Sequence, residues 1–381
     1  MPDLSSDYVT RVTSSPGEIE AQAWNALLAR TGDSPFMRHE YLAALHDGGS
    51  AVRATGWTPQ FLTLWREGEL QAACPLYLKG HSYGEYVFDW AWANAYEQHG
   101  LRYYPKALAA VPFTPVPGPR LLARDAAARA ALVRSVLAWC KQKKLSSFHL
   151  LFGDDEDIAA CADAGLMLRH TVQFHWINAG HSDFDAFLAT LTHEKRKKIR
   201  QERRKVAEAG VSFRHARGAE IGKADWDFFY RCYERTYLEH GNAPYLKRDF
   251  FRQTASTMPE NWLLFVAERR GQPIAASLIG VGGEVAYGRY WGALERVDCL
   301  HFEACYYQPL AWCIANGLQR FEGGAQGEHK MARALMPVKT TSAHWLAHPA
   351  FADAVAKFLA REDRGIGDYL EHLEARSPFH Q

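Results

Sequence analysis

Titratable side chains and glycines are concentrated in one short segment near the end of the chain, Phe321-Glu322-Gly323-Gly324-Ala325-Gln326-Gly327-Glu328-His329-Lys330. A carboxylate such as Glu322 or Glu328, or an imidazole such as His329, can remove a proton from an amine nucleophile. Glycines allow a ligand to approach backbone N–H groups. The segment therefore predicts a site for proton-transfer chemistry, and a polar surface turn is the alternative interpretation.

A strongly basic stretch precedes this segment by more than a hundred residues. Residues 195–205 contain eight lysines and arginines and a single acid, Glu202, within a predicted helix that runs from after Thr192 to Gly210. Only Ile199 and Val206 give this helix an apolar stripe, so most of its circumference must face water or a polyanion. A phosphate-binding surface and a solvated charged helix are both consistent with this pattern.

The elements that position these residues belong to a pattern that occurs twice. Four short matches recur in the same order, roughly 170 to 210 residues apart, which indicates two tandem domains. The matched pairs are Ser34–Tyr41 with Ala243–Phe250, Arg66–Ala73 with Arg270–Ala276, Tyr83–Tyr86 with Tyr287–Tyr290, and Ala138–Cys140 with Ala311–Cys313. A fall in spacing before the last pair predicts an insertion of about thirty residues in the first copy, in the Pro-rich stretch at about 96–122.

Each copy is expected to contain two helices, a strand hairpin, a third strand, a helix and a final strand. For the first copy we expect strands at 60–66, 70–78, 83–90 and 147–152; for the second, strands at 263–268, 274–281, 285–291 and 318–322. Pro244 is expected to open a helix, and a helix over 302–316 must be kinked or start later because of Pro309. This order predicts an α/β (α+β) fold with mixed, mostly antiparallel sheets flanked by helices.

Bulk properties exclude several classes of function. The 381 residues carry a net charge of only +1, so no global field draws the chain to nucleic acid or membrane. Seven cysteines, an odd number with no C-x-x-C pair, make a metal site or a disulfide framework unexpected. With no signal-peptide pattern and no long apolar run, we expect a cytoplasmic protein without membrane insertion.

Several of these motifs together resemble the FemAB-like family, tandem GNAT-like (acyl-CoA N-acyltransferase) proteins related to peptidoglycan aminoacyl transferases. The basic run Lys195-Arg196-Lys197-Lys198-Ile199-Arg200 and its following Ala-Gly-Val are similar to a characteristic segment of that family. So are Tyr290-Trp291-Gly292 and Phe321-Glu322-Gly323-Gly324. The similarity extends over nearly the whole chain. It implies domains at 1–180 and 211–348, joined by basic bridging helices at 181–210 and followed by a helical tail at 349–381.

The types and positions of other residues suggest further roles. Besides the three groups named first, Tyr290 is expected to donate a proton to the leaving group. Residues expected to hold the donor's phosphates are Lys195, Arg196, Arg200, Gly323, Gly324 and Gly327. Residues expected to contact substrate are Tyr103, Tyr104, Lys106, Thr114, Trp291, Glu303 and Lys330, the first four as a lid or acceptor pocket formed by the insertion. An ordered segment packed over the core is the alternative for the insertion, and a core position is the alternative for Tyr290 and Trp291. An acyl-accepting role for Cys305 is disfavoured, since no base is evident beside it.

The expected activity is acyl or aminoacyl transfer to an amine, on a small molecule or a cell-wall precursor. The donor would be an acyl-CoA or an aminoacyl-tRNA acting as co-substrate, with no tightly bound cofactor and with tRNA as a possible partner. One departure from ordinary GNAT sequences concerns the pyrophosphate loop, Gln/Arg-x-x-Gly-x-Gly/Ala, which is not evident here. The alternative is therefore a non-catalytic binding protein built on the same scaffold.

Overall fold

The fold was analysed in a computed structural model that describes residues 8–325 and 327–379. Two compact units are present. Unit 1 comprises the residues up to Thr171 together with Lys339–Asp368, and unit 2 comprises Val172–Val338 together with the residues from Tyr369 onward. Each unit has its own apolar core: one contains Leu64, Leu132 and Leu150, and the other Leu310, Phe321 and Leu373.

The β-strands, in chain order, are β1 Val9–Thr13, β2 Trp57–Pro59, β3 Phe61–Arg66, β4 Glu69–Cys74, β5 Leu76–Lys79, β6 Lys106–Ala109, β7 Leu122–Ala123, β8 Ser147–Gly153, β9 Met167–Ile177, β10 Val211–Arg217, β11 Trp262–Arg269, β12 Gln272–Gly282, β13 Val285–Ala293, β14 Arg320–Ala325 and β15 Met336–Leu346.

The α-helices are α1 Ala21–Thr31, α2 His39–Asp47, α3 Trp90–Gln98, α4 Ala126–Gln142, α5 Asp155–Asp163, α6 Phe184–Ala189, α7 His193–Glu208, α8 Lys223–Glu239, α9 Arg248–Thr257, α10 Leu300–Phe302, α11 Gln308–Ala315 and α12 Pro349–Glu374. A π-helical turn, Glu303–Tyr307, joins α10 to α11, and a 3₁₀ helix, Glu328–Arg333, follows β14.

Unit 2 is built on one mixed sheet with the strand order β10-β11-β12-β13-β14-β9. All of its neighbouring pairs are antiparallel except β13 and β14, which run parallel. Parallel neighbours require a crossover connection, and the crossover here is the helical stretch from α10 through α11. Its apolar residues Leu310 and Cys313 pack into the same core as Phe321 of β14.

Unit 1 repeats this plan with a different set of strands. Its sheet has the order β15-β8-β6-β5-β2, again antiparallel except for one parallel pair, β6 with β8. Helix α4 is the crossover between these two strands, as the α10–α11 stretch is in unit 2. A second sheet, β1-β3-β4-β7, completes the unit. The two parallel pairs identify β6 as the equivalent of β13, and β8 as the equivalent of β14.

Each unit contains residues from both ends of the repeat. The sheet of each unit includes a strand that follows the other copy along the chain. Strand β9 pairs with β14 in unit 2, and β15 pairs with β8 in unit 1. The sequence-based boundaries at 180/181 and 348/349 assume one continuous segment for each domain. Hydrophobic patterning along the chain carries no information about which sheet a terminal strand joins, so strand pairing places these two strands differently.

The predicted third strand of the first copy, 83–90, is wrong. This stretch forms bends and turns, with Gly84 at φ +80° and Tyr86 at φ +62°, values that a strand cannot accommodate. A Cβ on Gly84 would lie 2.6 Å from the Phe113 ring. The true equivalent of β13 is β6, which lies inside the predicted insertion. Most of the extra residues of the first copy therefore precede this strand, and a smaller part, which includes the Pro-rich stretch around Gly118, follows it.

The two predicted helices that contain prolines are modified in the structure. Helix α9 begins at Arg248 rather than at Pro244, and in the segment before it the Leu246 N–H donates to the Tyr233 hydroxyl at 3.1 Å. Near Pro309 the chain changes from α to π geometry and back. Proline has no N–H to donate within a helix. The π turn before Pro309 accommodates this missing hydrogen bond without ending the helix. The predicted kink is thus a π turn.

Helix α7 is anchored by the single acid of the basic run. Glu202 is 8% exposed and accepts hydrogen bonds from Arg333 Nη2, at 3.0 Å to each oxygen, and from the Tyr307 hydroxyl. The Arg333 guanidinium also lies over the Phe302 ring, 3.4 Å from its centroid. Ile199 and Val206, the predicted apolar stripe, are both buried. Helix α7 is therefore fixed to the crossover and to the 3₁₀ helix.

Within the described ranges, no helix is both long enough and apolar enough to cross a bilayer.

Replacing Glu202 with Gln should lower the free energy of unfolding by about 3–5 kcal/mol, because it leaves the Arg333 charge buried and unpaired. Arg204→Ala is the matched control on the same helix. Arg204 pairs with Glu208 at 3.7 Å with both side chains about two-thirds exposed, so its loss should cost less than about 1 kcal/mol. Urea denaturation of both variants measures the difference, and equal losses would contradict the anchoring role.

Candidate functional site

Strands β13 and β14 separate and leave a pocket between them in unit 2. Their parallel ladder covers only Val285–Tyr287 and Arg320–Glu322, whereas β13 continues to Ala293. The gap holds a cavity of about 120 Å³. We call it the strand-gap pocket; its walls are Ser277, Ile279, Gly288, Arg289, Tyr290, Trp291, His301, Cys305, Tyr306, Phe321 and Gly323.

A β-bulge in β13 lies in the wall of this pocket. Leu278 of β12 pairs with Tyr290 and the next residue, Ile279, pairs with Gly288, so Arg289 is the extra residue. A bulge changes the alternation of side chains and commonly re-aims them beside functional sites. Beyond it, the Tyr290 ring lies against Phe251 of α9 at 5.6 Å, and the Trp291 ring lies against His301 of α10 at 5.4 Å. The gap thus presents groups from both faces of the sheet.

The helical wall of the pocket carries titratable groups. Burial, assisted by the nearby His329 and Arg333, lowers the pKa of His301 to about 4, so this imidazole is neutral near pH 7. Burial also raises the pKa of the Tyr306 hydroxyl. That hydroxyl lies 3.3 Å from His329 Nε2. Tyr306 therefore connects the pocket to His329, whose side chain is exposed.

Glu322 lies on β14 between two pocket-lining residues, Phe321 and Gly323, and so its side chain projects from the other face of the strand. It is 3% exposed. Its carboxylate is 3.0 Å from Arg320 Nε and 3.8 Å from His175 Nε2. Among the described residues, neither Glu322 Oε2 nor His175 Nε2 has a hydrogen-bond partner.

Burial shifts both of these groups toward their neutral forms. It raises the pKa of Glu322 to about 7, although Arg320 and Arg289 oppose the shift. Burial, together with Arg320 and Lys330, lowers the pKa of His175 to about 3. A carboxyl group with a pKa near the ambient pH can both accept and release a proton, which is the property of an efficient general base.

The other residues of the glycine-containing segment have different positions. Glu328 is exposed and accepts hydrogen bonds from the Tyr369 hydroxyl at 2.8 Å and from Arg376 at 3.3 Å, which lower its pKa. Lys330 is buried, donates to the Gly324 carbonyl at 2.9 Å, and has its pKa lowered to about 8 by burial. The structure therefore brings Lys330 toward the pocket wall and holds Glu328 against the C-terminal residues.

The three glycines of the segment have steric reasons to be glycine. A Cβ on Gly323 would lie 2.4 Å from the Leu335 side chain, and one on Gly327 would lie 2.5 Å from the His329 ring. Gly324 has φ +83°, at an irregularity in the pairing of β14 with β9. Gly323 lines the pocket, so close packing and ligand approach are combined at this position. Gln326 lies outside the described residues.

The basic helix lines a second cavity, of about 420 Å³, with Arg200, Arg203 and Arg204 among its walls. Glu303 lies in this cavity rather than in the strand-gap pocket, and Arg203 pairs with it at 3.1 Å. Lys195 pairs with Glu194 at 3.6 Å on an exposed turn. The Arg196 guanidinium donates to the Ala189 carbonyl at 3.4 Å. Of the three cations predicted to bind phosphates, only Arg200 lines this cavity.

The predicted acceptor residues of the first copy belong to the interior of unit 1. Lys106 starts β6, is fully buried, and donates to Glu85 at 2.8 Å and to Asp89 at 2.5 Å. Tyr103 donates to the same Asp89 carboxylate at 2.6 Å.

Two further residues of this group are held by neighbours in the same unit. Tyr104 lies 2.8 Å from the Ser82 hydroxyl. Thr114 is buried, and its hydroxyl lies 3.1 Å from that of Tyr41. Their substrate-binding role stays a prediction, now for residues that also hold unit 1 together.

The equivalent gap in unit 1 is closed by the chain itself. The parallel ladder between β6 and β8 ends at Ala109 and Leu150. Beyond that point the N–H of Gly118, in the Pro-rich stretch, donates to the Phe152 carbonyl of β8 at 3.0 Å. Buried Arg120 holds the stretch in place by donating to the carbonyls of Val116 and Gly118. The strand-gap pocket is therefore open in unit 2, and its unit 1 counterpart is covered by this Pro-rich stretch.

Sequence reasoning missed several residues that define the site. Glu202, Arg333, His175, His301 and Tyr306 are brought together only by strand pairing and by the crossover. One signal was available: Glu202, the single acid within a run of eight cations, lies three residues after Ile199 and four before Val206, on the apolar stripe of the predicted helix. No group of three metal-ligating side chains occurs within the part of the chain that the structure describes.

Comparison with known proteins gives one family. The family model for FemAB-like proteins, described as peptidoglycan biosynthesis/recognition, matches residues 15–381. No curated protein matches the chain at a significant level. Among solved structures, L-PGS from Bacillus licheniformis is similar with a TM-score of 0.55 and 11% identity, over 92% of this chain and 99% of that one. FemX is similar with a TM-score of 0.55 and 11% identity, over 89% and 98% respectively.

These similarities agree with the architecture of the two units. Each has a mixed, mostly antiparallel sheet flanked by helices and interrupted by one parallel pair. The predicted tandem GNAT-like fold is confirmed. At 11% identity the likeness to the two solved structures is one of fold.

Glu322→Gln should make the stability of the protein less dependent on pH. The folded-state pKa of Glu322, about 7, lies above its unfolded value near 4.5, so the wild type loses stability as the pH rises from about 4.5 to 7. Gln does not ionise, and the variant should gain on the order of 2–3 kcal/mol relative to wild type across that interval. Thermal unfolding between pH 5 and pH 8 measures this gain.

Glu328→Gln is the control with the opposite sign. The pKa of Glu328 is lowered in the fold, so its stabilising contribution is present above the unfolded pKa and disappears as the pH falls. This variant should show no gain in stability at pH 7 or 8. A Glu322→Gln curve parallel to that of the wild type would mean that the Glu322 carboxyl is not buried in the neutral form.

Proposed function

We propose, because the chain belongs to the FemAB-like family, that it transfers an acyl or aminoacyl group from an activated donor to an amine. It is a transferase with the tandem GNAT-like fold. The donor in our proposal is an acyl-CoA or an aminoacyl-tRNA, and the acceptor is an amine of a cell-wall precursor or a small molecule. A cytoplasmic location would give access to all of these compounds.

The observation that supports this proposal is the open gap between β13 and β14. The ladder between β13 and β14 ends at Tyr287, whereas β13 continues to Ala293 along the pocket wall. In our proposal a backbone N–H group of this continuation donates to the carbonyl oxygen of an acyl donor that enters the gap. Backbone N–H groups held in fixed positions stabilise the negative charge that develops on the carbonyl oxygen as the amine attacks.

The charges around the gap favour a neutral, nucleophilic amine. Arg333 and Lys330 already contribute to the low pKa values of His301 and His329. The same cations would lower the pKa of an acceptor ammonium held there. Glu322, with a pKa of about 7, is our general base for the remaining proton. Its side chain leaves β14 on the face opposite the pocket wall, so in our proposal the amine approaches the gap from that face. Attack then forms the new amide bond and breaks the ester or thioester bond of the donor.

The leaving group needs a proton, and Tyr306 is placed to supply it. Its hydroxyl belongs to the pocket wall and lies 3.3 Å from His329 Nε2. Once Tyr306 has given its proton to the departing oxygen or sulfur, His329 can return one from the solvent side. Tyr290, the predicted acid, also lines the pocket, but its ring packs against Phe229, Tyr233 and Phe251. We therefore assign the acid role to Tyr306.

The donor's phosphates are assigned to the cavity beside the basic helix. Arg200, Arg203 and Arg204 line it, and Glu303 and Gln308 of the crossover form its other wall. The same crossover carries His301, Cys305 and Tyr306 of the strand-gap pocket. A donor whose phosphates bind beside the basic helix would have its coenzyme A or tRNA portion on one side of the crossover. Its acyl group would then lie close to His301, Cys305 and Tyr306.

A recognition protein without catalytic activity is the second candidate. The absence of the usual pyrophosphate loop from the sequence favours it. A panel of donors separates the two functions: acetyl-CoA, longer acyl-CoAs and aminoacyl-tRNA, each with an amine acceptor such as a UDP-linked muropeptide. Donor consumption that depends on the amine supports the transferase. Binding of the muropeptide with no donor bound or consumed supports recognition.

Tyr306→Phe should lower kcat by about 100-fold with little change in KM, because a positioned general acid commonly contributes this much. Steady-state kinetics with the donor identified above measures the effect. The control is Tyr83→Phe in unit 1, where the side chain is 60% exposed, and its kcat should equal that of the wild type. Unchanged turnover in Tyr306→Phe would remove this residue from the mechanism.

A further inference from the structure

A third cavity in unit 2 is separate from the two assigned above. It has a volume of about 540 Å³ and lies between α8, α9 and the turns at 218–221 and 259. Its size is typical of small-molecule sites, which are concave and mostly apolar with a few polar groups. We call it the aromatic groove; its walls are Gly218, Ala219, Ile221, Lys223, Trp226, Asp227, Tyr230, Arg248, Phe251, Arg252, Ala255, Ser256 and Pro259.

The floor of the aromatic groove is formed by packed rings. Phe251 is 2% exposed and lies 6.0 Å from the Tyr230 ring and 6.4 Å from the Trp226 ring. Trp226 is itself supported edge-on by buried Trp262 at 6.2 Å. Aromatic side chains held in this way lose little conformational freedom when a ligand packs on them. The floor is therefore suited to an apolar ring or chain.

The rim of the groove is predominantly positive. Lys223, Arg248 and Arg252 line it, against one lining carboxylate, Asp227. Arg248 pairs with Asp227 at 3.5 Å and Arg252 pairs with Asp249 at 2.8 Å. In both pairs the side chains are about half exposed or more, so each is weak and open to competition by an anion.

Lys223 has no ion pair with any residue that the structure describes. It is the first residue of α8, where the helix dipole disfavours a cation, so helix stability does not account for it. Its place at the rim gives the groove a cation that forms no ion pair within the described ranges. The charge of the rim complements a ligand with one acidic group.

We propose that the aromatic groove binds an organic anion, with an apolar or planar body on Trp226 and Phe251 and its acidic group at Lys223, Arg248 and Arg252. The acidic group is a carboxylate or a phosphate monoester, since both suit arginine and lysine. Phe251 also touches Tyr290 of the strand-gap pocket, ring to ring at 5.6 Å. The proposed ligand would thus lie one aromatic layer away from the gap, whatever reaction takes place there.

Isothermal titration calorimetry on the full-length protein tests the proposal with a matched pair of probes. The first is 4-phenylbutyrate and the second is 4-phenyl-1-butanol, which has the same body without the charge. We expect the acid to bind at least ten-fold more tightly than the alcohol. AMP is a third probe that distinguishes the sources of the anion. Competition between AMP and 4-phenylbutyrate indicates a nucleotide, and binding of the acid alone indicates a carboxylate.

Variants locate the bound probe. Ala255→Trp places a large ring inside the groove and should abolish binding, while the charge reversals Lys223→Glu and Arg252→Glu change only exposed side chains and should weaken it at least ten-fold together. Arg231→Ala is the control, an exposed residue of α8 outside the groove. Circular dichroism verifies the fold of each variant, and the charge reversals decide the question if Ala255→Trp does not fold.

Three results would overturn the proposal. One is the failure of both 4-phenylbutyrate and AMP to bind the wild-type protein. Another is equal affinity for the acid and the alcohol, which would remove the anion from the description of the ligand. The third is binding that survives the charge reversals as well as it survives Arg231→Ala. None of these results bears on transfer in the strand-gap pocket, because the assays involve neither donor nor turnover.

Discussion

The ion pair between Glu202 and Arg333 is the interaction on which the arrangement of unit 2 depends. Arg333 joins helix α7 through Glu202, the crossover through the Phe302 ring, and the 3₁₀ helix through the His329 carbonyl at 2.8 Å. An ion pair this deeply buried gains little net stability over apolar packing, but breaking it is costly. Its main effect is therefore geometric. It holds the basic helix, the pocket wall and the glycine-containing segment in fixed positions relative to one another.

Duplication gave two parallel strand pairs, and the two are used differently. In unit 1 the Pro-rich stretch that contains Gly118 supplies a hydrogen-bond partner to β8 beyond the point where its ladder with β6 ends. In unit 2 a bulge at Arg289 and the divergence of β13 from β14 leave the corresponding edge facing a cavity. An exposed strand edge that is neither paired nor covered is a liability in most proteins. In our proposal the carbonyl group of the acyl donor binds at this edge.

Sequence patterns predicted those features that depend on local order. The apolar stripe of α7, the strands of the second copy and the fold class follow from spacing and from resemblance. The third strand of the first copy was wrong because a four-residue match at Tyr83–Tyr86 cannot reveal left-handed backbone angles. The side-chain direction of Glu322 depends on the alternation along β14 and on its neighbours in the sheet, and partners such as His175 are set by pairing between distant strands.

The electrostatics of the site explain why unit 2 tolerates an unfavourable arrangement. Glu322 and His175 are both buried, and burial drives both toward neutrality. Arg320 opposes this shift for Glu322 and adds to it for His175. A protein selected for stability alone would replace such a pair with apolar residues of similar volume, often at a gain in stability. Each of them has a ring or carboxylate atom without a hydrogen-bond partner among the described residues, which suits the proton-transfer role that we propose for Glu322.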